Sequence, residues 1–176
     1  MTVWLTGLPC SGKTTLGGAV VDRLRAAGCK AELLDGDVLR RELWNDLDFS
    51  RRAREENIRR LAFLARMLSR NGVIAVVSAV SPYRAIRDEV RRGLASFIEV
   101  YVNAPQSVCE QRDVKGMYRR ARMGELKQFT GIDDCYEPPH QPDVECRTDI
   151  ETVEQSAEKV LRAVNGTTSL AMGGRL

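Results

Sequence analysis

Residues Gly7-Leu8-Pro9-Cys10-Ser11-Gly12-Lys13-Thr14 spell G-x-x-x-x-G-K-[ST] directly after a short β-type run, Thr2-Val3-Trp4-Leu5-Thr6. A strand, a glycine-bearing loop and a helix in that order form a cradle for polyphosphate. The loop curls its N–H groups around phosphate oxygens, Lys13 reaches the β/γ-phosphates, and the Thr14 hydroxyl binds Mg²⁺. Thr15 extends the ATP-binding set into the first turn of the helix, whose positive dipole end faces the same anion. Cys10, inside the loop, reads as a small filler.

Asp35 and Asp37 flank Gly36 where a second strand should end, beside the loop, so both carboxylates can face a nucleotide. An ordinary Asp-Gly turn is the competing reading. Arg40 stands three residues after Asp37, which would set a guanidinium beside that carboxylate if a helix begins there. Stepping back by helical spacing from Leu61 and Ile58 lands on Arg54 and Asn57. Polar side chains on a core-facing stripe need partners, which suggests a ligand-facing edge. An internal ion pair between Arg54 and one of the aspartates is the structural alternative. Arg52, Glu56, Arg59 and Arg60 lie to the side, as a solvated surface.

Phe49 and Phe129 are two of only four phenylalanines, and each sits in a polar loop. They could clamp a base by stacking, or simply anchor their loops. Lys115, Arg119, Arg120, Arg122 and Lys127 outnumber Asp113 and Glu125, a surplus suited to covering polyphosphate or to a solvated helix face. Ser81 ends a buried strand, where a helix cap is the commonest role for serine.

The elements that must position these groups follow from apolar spacing. Leu16, Val20, Leu24 and Ala27 mark a helix ended by Gly28, and Lys30 to Leu34 fits a second strand. Ile58, Leu61, Ala62, Ala65 and Leu68 mark a long helix over 50–70, stopped by Asn71-Gly72. Val73 to Val80 reads as a strand buried on both faces, with Ser81-Pro82 opening the next helix. Phe97 to Val102 adds a strand, Ala104-Pro105 leads into a helix, and a last strand lies near Val144 before a helix over 150–164.

Strands alternating with helices imply a three-layer α/β fold on a mainly parallel sheet, with ligands at the carboxyl ends of the strands. Residues 113–142, rich in charge and glycine and ending Pro138-Pro139-His140-Gln141-Pro142, read as a mobile lid. With 176 residues and 43% apolar composition, one domain over 1–164 is expected, with 165–176 as a disordered tail.

A net charge of +3 disfavours a strongly basic nucleic-acid binder. The five cysteines form no C-x-x-C pair and there is a single histidine, His140, so no zinc-ligand spacing arises. Reduced thiols in the cytoplasm are the simplest account. No stretch approaches a membrane span, and the phosphate loop begins too early to spare a cleaved signal peptide.

Taken together, Gly7 to Thr14, Leu34-Asp35-Gly36-Asp37, Phe49-Ser50 with Arg54 and Glu56-Asn57-Ile58-Arg59-Arg60, Ser81-Pro82-Tyr83-Arg84, Asp113-Val114-Lys115-Gly116-Met117-Tyr118, and Lys127-Gln128-Phe129-Thr130-Gly131-Ile132-Asp133 resemble the adenylylsulfate kinases, from about residue 2 to 150 in order and spacing. The resemblance implies a P-loop NTPase fold and ATP-dependent phosphorylation of the 3′-hydroxyl of adenosine 5′-phosphosulfate, with Mg²⁺ accompanying ATP. It implies that Phe49 and Phe129 sandwich the substrate adenine, and that Arg40, Arg54 and Asn57 hold its phosphosulfate and base. Val80, Ser81, Lys115 and Lys127 would complete the pocket, and a homodimer is implied.

Ser81 matches the serine proposed in the family as a phosphorylated intermediate, although direct in-line transfer needs only positioning and charge neutralisation. Asp37 is the expected base, and Asp35 could hold a metal-bound water. No acidic residue lies on the Val73 to Val80 strand, so a Walker-B aspartate is missing. Ala53, Val38 and Ala79 depart from residues common in the family.

Three other readings stay open: a kinase for another small hydroxyl acceptor, a GTPase-like switch suggested by Asp113-Val114-Lys115-Gly116, and a catalytically dead partner subunit.

Overall fold

The computed structural model describes residues 1–173. β1 (Thr2–Thr6) leads through the phosphate loop into α1 (Lys13–Ala26), then β2 (Ala31–Asp35), α2 (Gly36–Leu43) and α3 (Arg51–Arg70). β3 (Ile74–Ser78), α4 (Arg84–Arg92), β4 (Phe97–Asn103) and α5 (Gln106–Arg112) follow. A short helix α6 (Met117–Arg122), β5 (Val144–Arg147) and α7 (Val153–Gly173) complete the chain. The sheet runs β2-β3-β1-β4-β5 with every pairing parallel, as the βαβ alternation requires.

Alternation along β1 divides two cores. Val3 and Leu5 pack with Leu16, Val20 and Leu24 of α1 and Ala157, Val160 and Val164 of α7. Trp4 points the other way, onto Ile58, Leu61 and Ala65 of α3 and Ile86 and Val90 of α4. A third, smaller cluster joins Ala104, Cys109, Tyr118, Ala121 and Phe129, which gives the 113–142 segment an apolar footing.

Register then places the functional ends together. Ser78 pairs with Leu5 on one side and Asp35 on the other, so the carboxyl ends of β1, β2 and β3 open onto one edge. Two glycines there are set by their surroundings. Gly12 has φ +98 as the cap of α1, a left-handed conformation that penalises any Cβ. A Cβ on Gly7 would meet the Val102 carbonyl oxygen at 2.3 Å, so only glycine lets the loop pass β4.

Three expectations require correction. Ser81 does not open α4: it has φ +47, its hydroxyl accepts from Trp4 Nε1 at 2.9 Å, and the helix begins at Arg84, whose N–H donates to Glu137 Oε2 at 2.8 Å. A carboxylate from the distant 113–142 segment therefore serves the helix start. The Asp35-Gly36 pair is not a free turn but the start of α2, with Asp35 as its N-cap. The stretch expected as a tail is helical as far as Gly173, while 174–176 lie outside the described residues. Once Ala157, Val160 and Val164 anchor α7, each added residue gains a hydrogen bond without a new nucleus, and no proline intervenes.

Candidate active site

One cleft of about 500 Å³ opens at that strand edge. Its walls include Pro9, Cys10, Gly12, Lys13, Thr14 and Thr15 on the loop side and Asp35, Asp37 and Arg40 at β2 and α2. Phe49, Arg54, Asn57, Val80, Ser81, Lys115, Lys127 and Phe129 line it as well. Gly7, Leu8 and Ser11 do not face it. The carbonyls of Gly7 and Leu8 accept from Lys13 Nζ at 3.0 and 2.6 Å, and Ser11 is buried with its carbonyl accepting from Thr148 Oγ1 at 2.7 Å.

Lys13 is buried, and desolvation pulls its pKa down to about 8, against the opposing pull of Asp37 first among its neighbours. A bound polyphosphate favours the ammonium. Before nucleotide binds, Lys13 loses its proton as pH rises through about 8, so nucleotide binding above that pH must take one up. The expected result is an affinity for Mg-ATP that weakens by up to about tenfold per pH unit there. Calorimetry in buffers of different ionisation enthalpy measures the uptake directly, and binding without it would contradict the assignment.

Thr14 Oγ1 donates to Asp35 Oδ2 at 2.7 Å and lies 3.3 Å from Ser78 Oγ. The other Asp35 oxygen accepts the N–H groups of Asp37 and Val38 at 2.9 and 3.1 Å. One carboxylate thus joins the phosphate loop to the helix that carries Asp37. Ser78 was not foreseen. It occupies the end of β3, where a Walker-B acid was sought, and the rule that ligands gather at strand ends could have found it.

The Thr14 and Ser78 hydroxyls and the Asp35 carboxylate are hard oxygen donors of the kind Mg²⁺ takes alongside phosphate oxygens and water. Among the described residues no cluster of three or more His, Cys, Asp or Glu forms a dedicated metal cage.

Asp37 is exposed and pairs with Lys115 Nζ at 2.7 Å. Asp37 in turn, chiefly through that hydrogen bond, raises the Lys115 pKa. Arg40 is not the partner of Asp37. It donates to the Leu47 and Asp48 carbonyls, and its guanidinium lies 4.5 Å from the Phe49 ring centre. Burial first, and then the charge of Arg54, lower its pKa.

Phe49 is 52% exposed at the mouth, whereas Phe129 is 6% exposed and packs edge-on to Tyr118 with centroids 4.9 Å apart. Arg54 reaches both aromatic loops: Nε donates to the Phe49 carbonyl at 3.0 Å, Nη1 to Thr130 Oγ1 at 2.8 Å, and Nη2 to the Gln128 carbonyl. Its ion pair is with Asp134 at 3.6 Å rather than with Asp35 or Asp37. Asn57 is buried, and its Oδ1 has no partner among the described residues, an acceptor left over at the cleft wall.

Arg112 and Thr148 also line the cleft, and neither was foreseen. Arg112 donates to the Cys10 carbonyl at 3.5 Å and to the Thr148 carbonyl at 2.6 Å, which ties the end of α5 to the phosphate loop and to the end of β5. Of the basic residues in 113–142, Arg120 and Arg122 are surface partners of Glu125 and Glu110. Asp113, which resembled a switch element, accepts the N–H groups of Tyr118 and Arg119 at 3.0 Å and so serves α6.

The family model described as adenylylsulphate kinase matches residues 1–147. The adenylyl-sulfate kinase of Picosynechococcus sp. is 59% identical over 162 residues, covering 92% of each chain. That of Rippkaea orientalis is 58% identical over 91% of this chain and 88% of its own. Among solved structures, the Mycobacterium tuberculosis APS kinase in complex with AMPPNP and APS superposes with a TM-score of 0.90 at 39% identity, covering 93% of this chain and 96% of that one. Shikimate kinase from Aquifex aeolicus, at 18% identity and a TM-score of 0.53, shares the fold alone. A family match that spans the cleft from phosphate loop to β5, with relatives this similar over nearly their whole length, means that the chain belongs to the adenylylsulphate kinase family.

Proposed function

We propose that the chain transfers the γ-phosphoryl group of ATP to the 3′-hydroxyl of adenosine 5′-phosphosulfate, giving 3′-phosphoadenosine 5′-phosphosulfate and ADP. The observation that carries this reading is the Thr14–Asp35 hydrogen bond of 2.7 Å, because Asp35 also caps the helix whose Asp37 lines the same cleft as the phosphate loop. Donor and acceptor sides share one cleft, so an acceptor oxygen and a terminal phosphate can meet in line.

Thr14, with Asp35 and Ser78 beside it, would hold Mg²⁺, which when bound would neutralise phosphate charge. The residues of the chain do the rest. Lys13 exchanges the Gly7 and Leu8 carbonyls for the β/γ-phosphates. Lys115 leaves Asp37 for substrate phosphate, a cheap exchange because an exposed pair contributes only about 0–1 kcal/mol. Asp37 then orients the 3′-hydroxyl and accepts its proton as the 3′-oxygen bonds to the γ-phosphorus and the bridging oxygen departs with ADP. Closure of 113–142 excludes water.

No covalent step is needed at Ser81, whose buried hydroxyl is engaged by Trp4. Ala53, Val38 and Ala79 leave Asp37, Arg54 and Phe49 in place on the cleft wall.

Phe49→Ala is expected to raise the KM for adenylylsulfate by roughly 5- to 150-fold, the worth of one stacked base, with little change in the KM for ATP. Equal changes in both would remove Phe49 from the acceptor pocket. The reaction itself is tested by following ADP release with adenylylsulfate offered beside other nucleotides and small hydroxyl acceptors. Turnover of another acceptor in preference to adenylylsulfate would overturn the reading.

Among the described residues no helix is long and apolar enough to cross a membrane, and the five cysteines are free thiols. A cytoplasmic homodimer is the accompanying proposal, checked by light scattering, where a mass of one chain would contradict it.

A further inference from the structure

The contacts of Arg54 describe a strap between two loops. Its guanidinium bonds the Phe49 carbonyl at one end, and the Gln128 carbonyl and Thr130 hydroxyl on either side of Phe129 at the other. Behind it lies Asp134, whose Oδ2 is 3.6 Å from Nε and accepts the Tyr83 hydroxyl at 2.8 Å. Tyr83 is buried in the core against α3 and α4, with the Arg51 guanidinium 4.4 Å from its ring centre. Asp134 belongs to the segment that carries Phe129: its N–H donates to the Phe129 carbonyl at 3.2 Å, and its own carbonyl accepts from Gly131 at 2.8 Å.

We infer that Tyr83 and Asp134 are positioning residues which lock Arg54 as a strap between the two aromatic loops, fixing the gap into which the acceptor's base enters. The inference rests on the proposed acceptor but assigns two residues to which that reading gave no role. Tyr83 is anchored in the core, Asp134 sits on the covering segment, and Arg54 sits on α3. The relay therefore ties the position of Phe129 to the fixed half of the cleft. A guanidinium with five donors can hold several acceptors in one plane, and a carboxylate at its back limits its rotation. Without Asp134 the donors remain but their direction is unset, and the two rings are free to drift apart.

The experiment uses full-length Asp134→Asn and Tyr83→Phe, each alone and combined with Phe49→Ala, in steady-state assays with either substrate varied. Both changes preserve side-chain shape, and a thermal melt accompanies each. Asp134→Asn is expected to raise the KM for adenylylsulfate roughly 10-fold, and Tyr83→Phe roughly 3-fold, with the KM for ATP and kcat unchanged. In the Phe49→Ala background neither should add a further effect, because the gap they regulate has lost one wall.

A KM for adenylylsulfate equal to wild type, a parallel rise in both KM values, or full additivity with Phe49→Ala would each overturn the strap. Should Asp134→Asn fail to fold, Tyr83→Phe carries the same comparison. Failure of the wild-type chain to turn over adenylylsulfate overturns the proposed function instead, so the two failures are separable.

Discussion

Asp37→Asn is expected to lower kcat by roughly 10²- to 10⁴-fold, the usual worth of a positioned general base. The substitution is isosteric, and Asp37 is not the residue that caps α2; Asp35 does that through the N–H groups of residues 37 and 38. The fold and the phosphate loop should therefore be untouched, so the KM for ATP and the melting temperature should stay near wild type. The affected proton is that of the acceptor hydroxyl. An amide accepts a hydrogen bond but not the proton, so the 3′-oxygen must attack undeprotonated. Lys115 also loses its partner at 2.7 Å, but that pair is exposed and contributes little. ADP release under saturating substrates measures the loss, and an unchanged kcat would remove Asp37 from the chemistry.

The second large effect is on stability. Arg87 is 2% exposed, and its guanidinium divides among Glu99 Oε1 at 2.9 Å, the Ser81 carbonyl at 2.5 Å and the Glu137 carbonyl at 2.6 Å. Arg87→Met is expected to cost about 3–5 kcal/mol, because it strands a buried carboxylate and frees two carbonyls. Arg91, 3.4 Å from Glu99, offsets part of that cost. Removing Glu99 as well, in an Arg87→Met/Glu99→Leu variant, should recover part of the loss, since the penalty lies in the unpaired charge.

Urea midpoints at constant m-value measure both variants. A cost under about 1 kcal/mol for the single change would place Arg87 with surface pairs such as Arg41–Glu42. Arg87 also holds Ser81 in its left-handed conformation together with Trp4. Loosening it should therefore disturb the cleft wall before the domain unfolds.

The sites legible in the chain were those whose chemistry is local. The phosphate loop needs eight consecutive residues, and its geometry follows from glycine positions and the helix start, so Lys13 and Thr14 stand out as phosphate and metal ligands to propose before any contact is known. The strands and helices followed from periodicity, because burial of one face is imposed on a segment by its own spacing. Asp37, Asn57 and the Phe49–Phe129 pair could be suspected as polar or aromatic residues in places that packing alone does not explain.

Contacts across the chain were not legible. Asp35 could be seen as acidic but not as the link between Thr14 and α2, and Ser81 could be taken for a helix cap because serine usually is one. What overrides that preference is an indole N–H 77 positions away and a guanidinium from α4. Arg112 and Thr148 carry no local signature, and they reach the cleft because parallel pairing brings the ends of β4 and β5 to one edge.

The amino-acid order by itself determined which phosphate chemistry this chain carries and which segments form its layers, since both depend on neighbours a few residues apart. Which partner each side chain takes was decided only when the sheet assembled in the order β2-β3-β1-β4-β5, because that assembly sets the distances between residues far apart in the chain. The electrostatics and hydrogen bonds of the cleft follow from those distances.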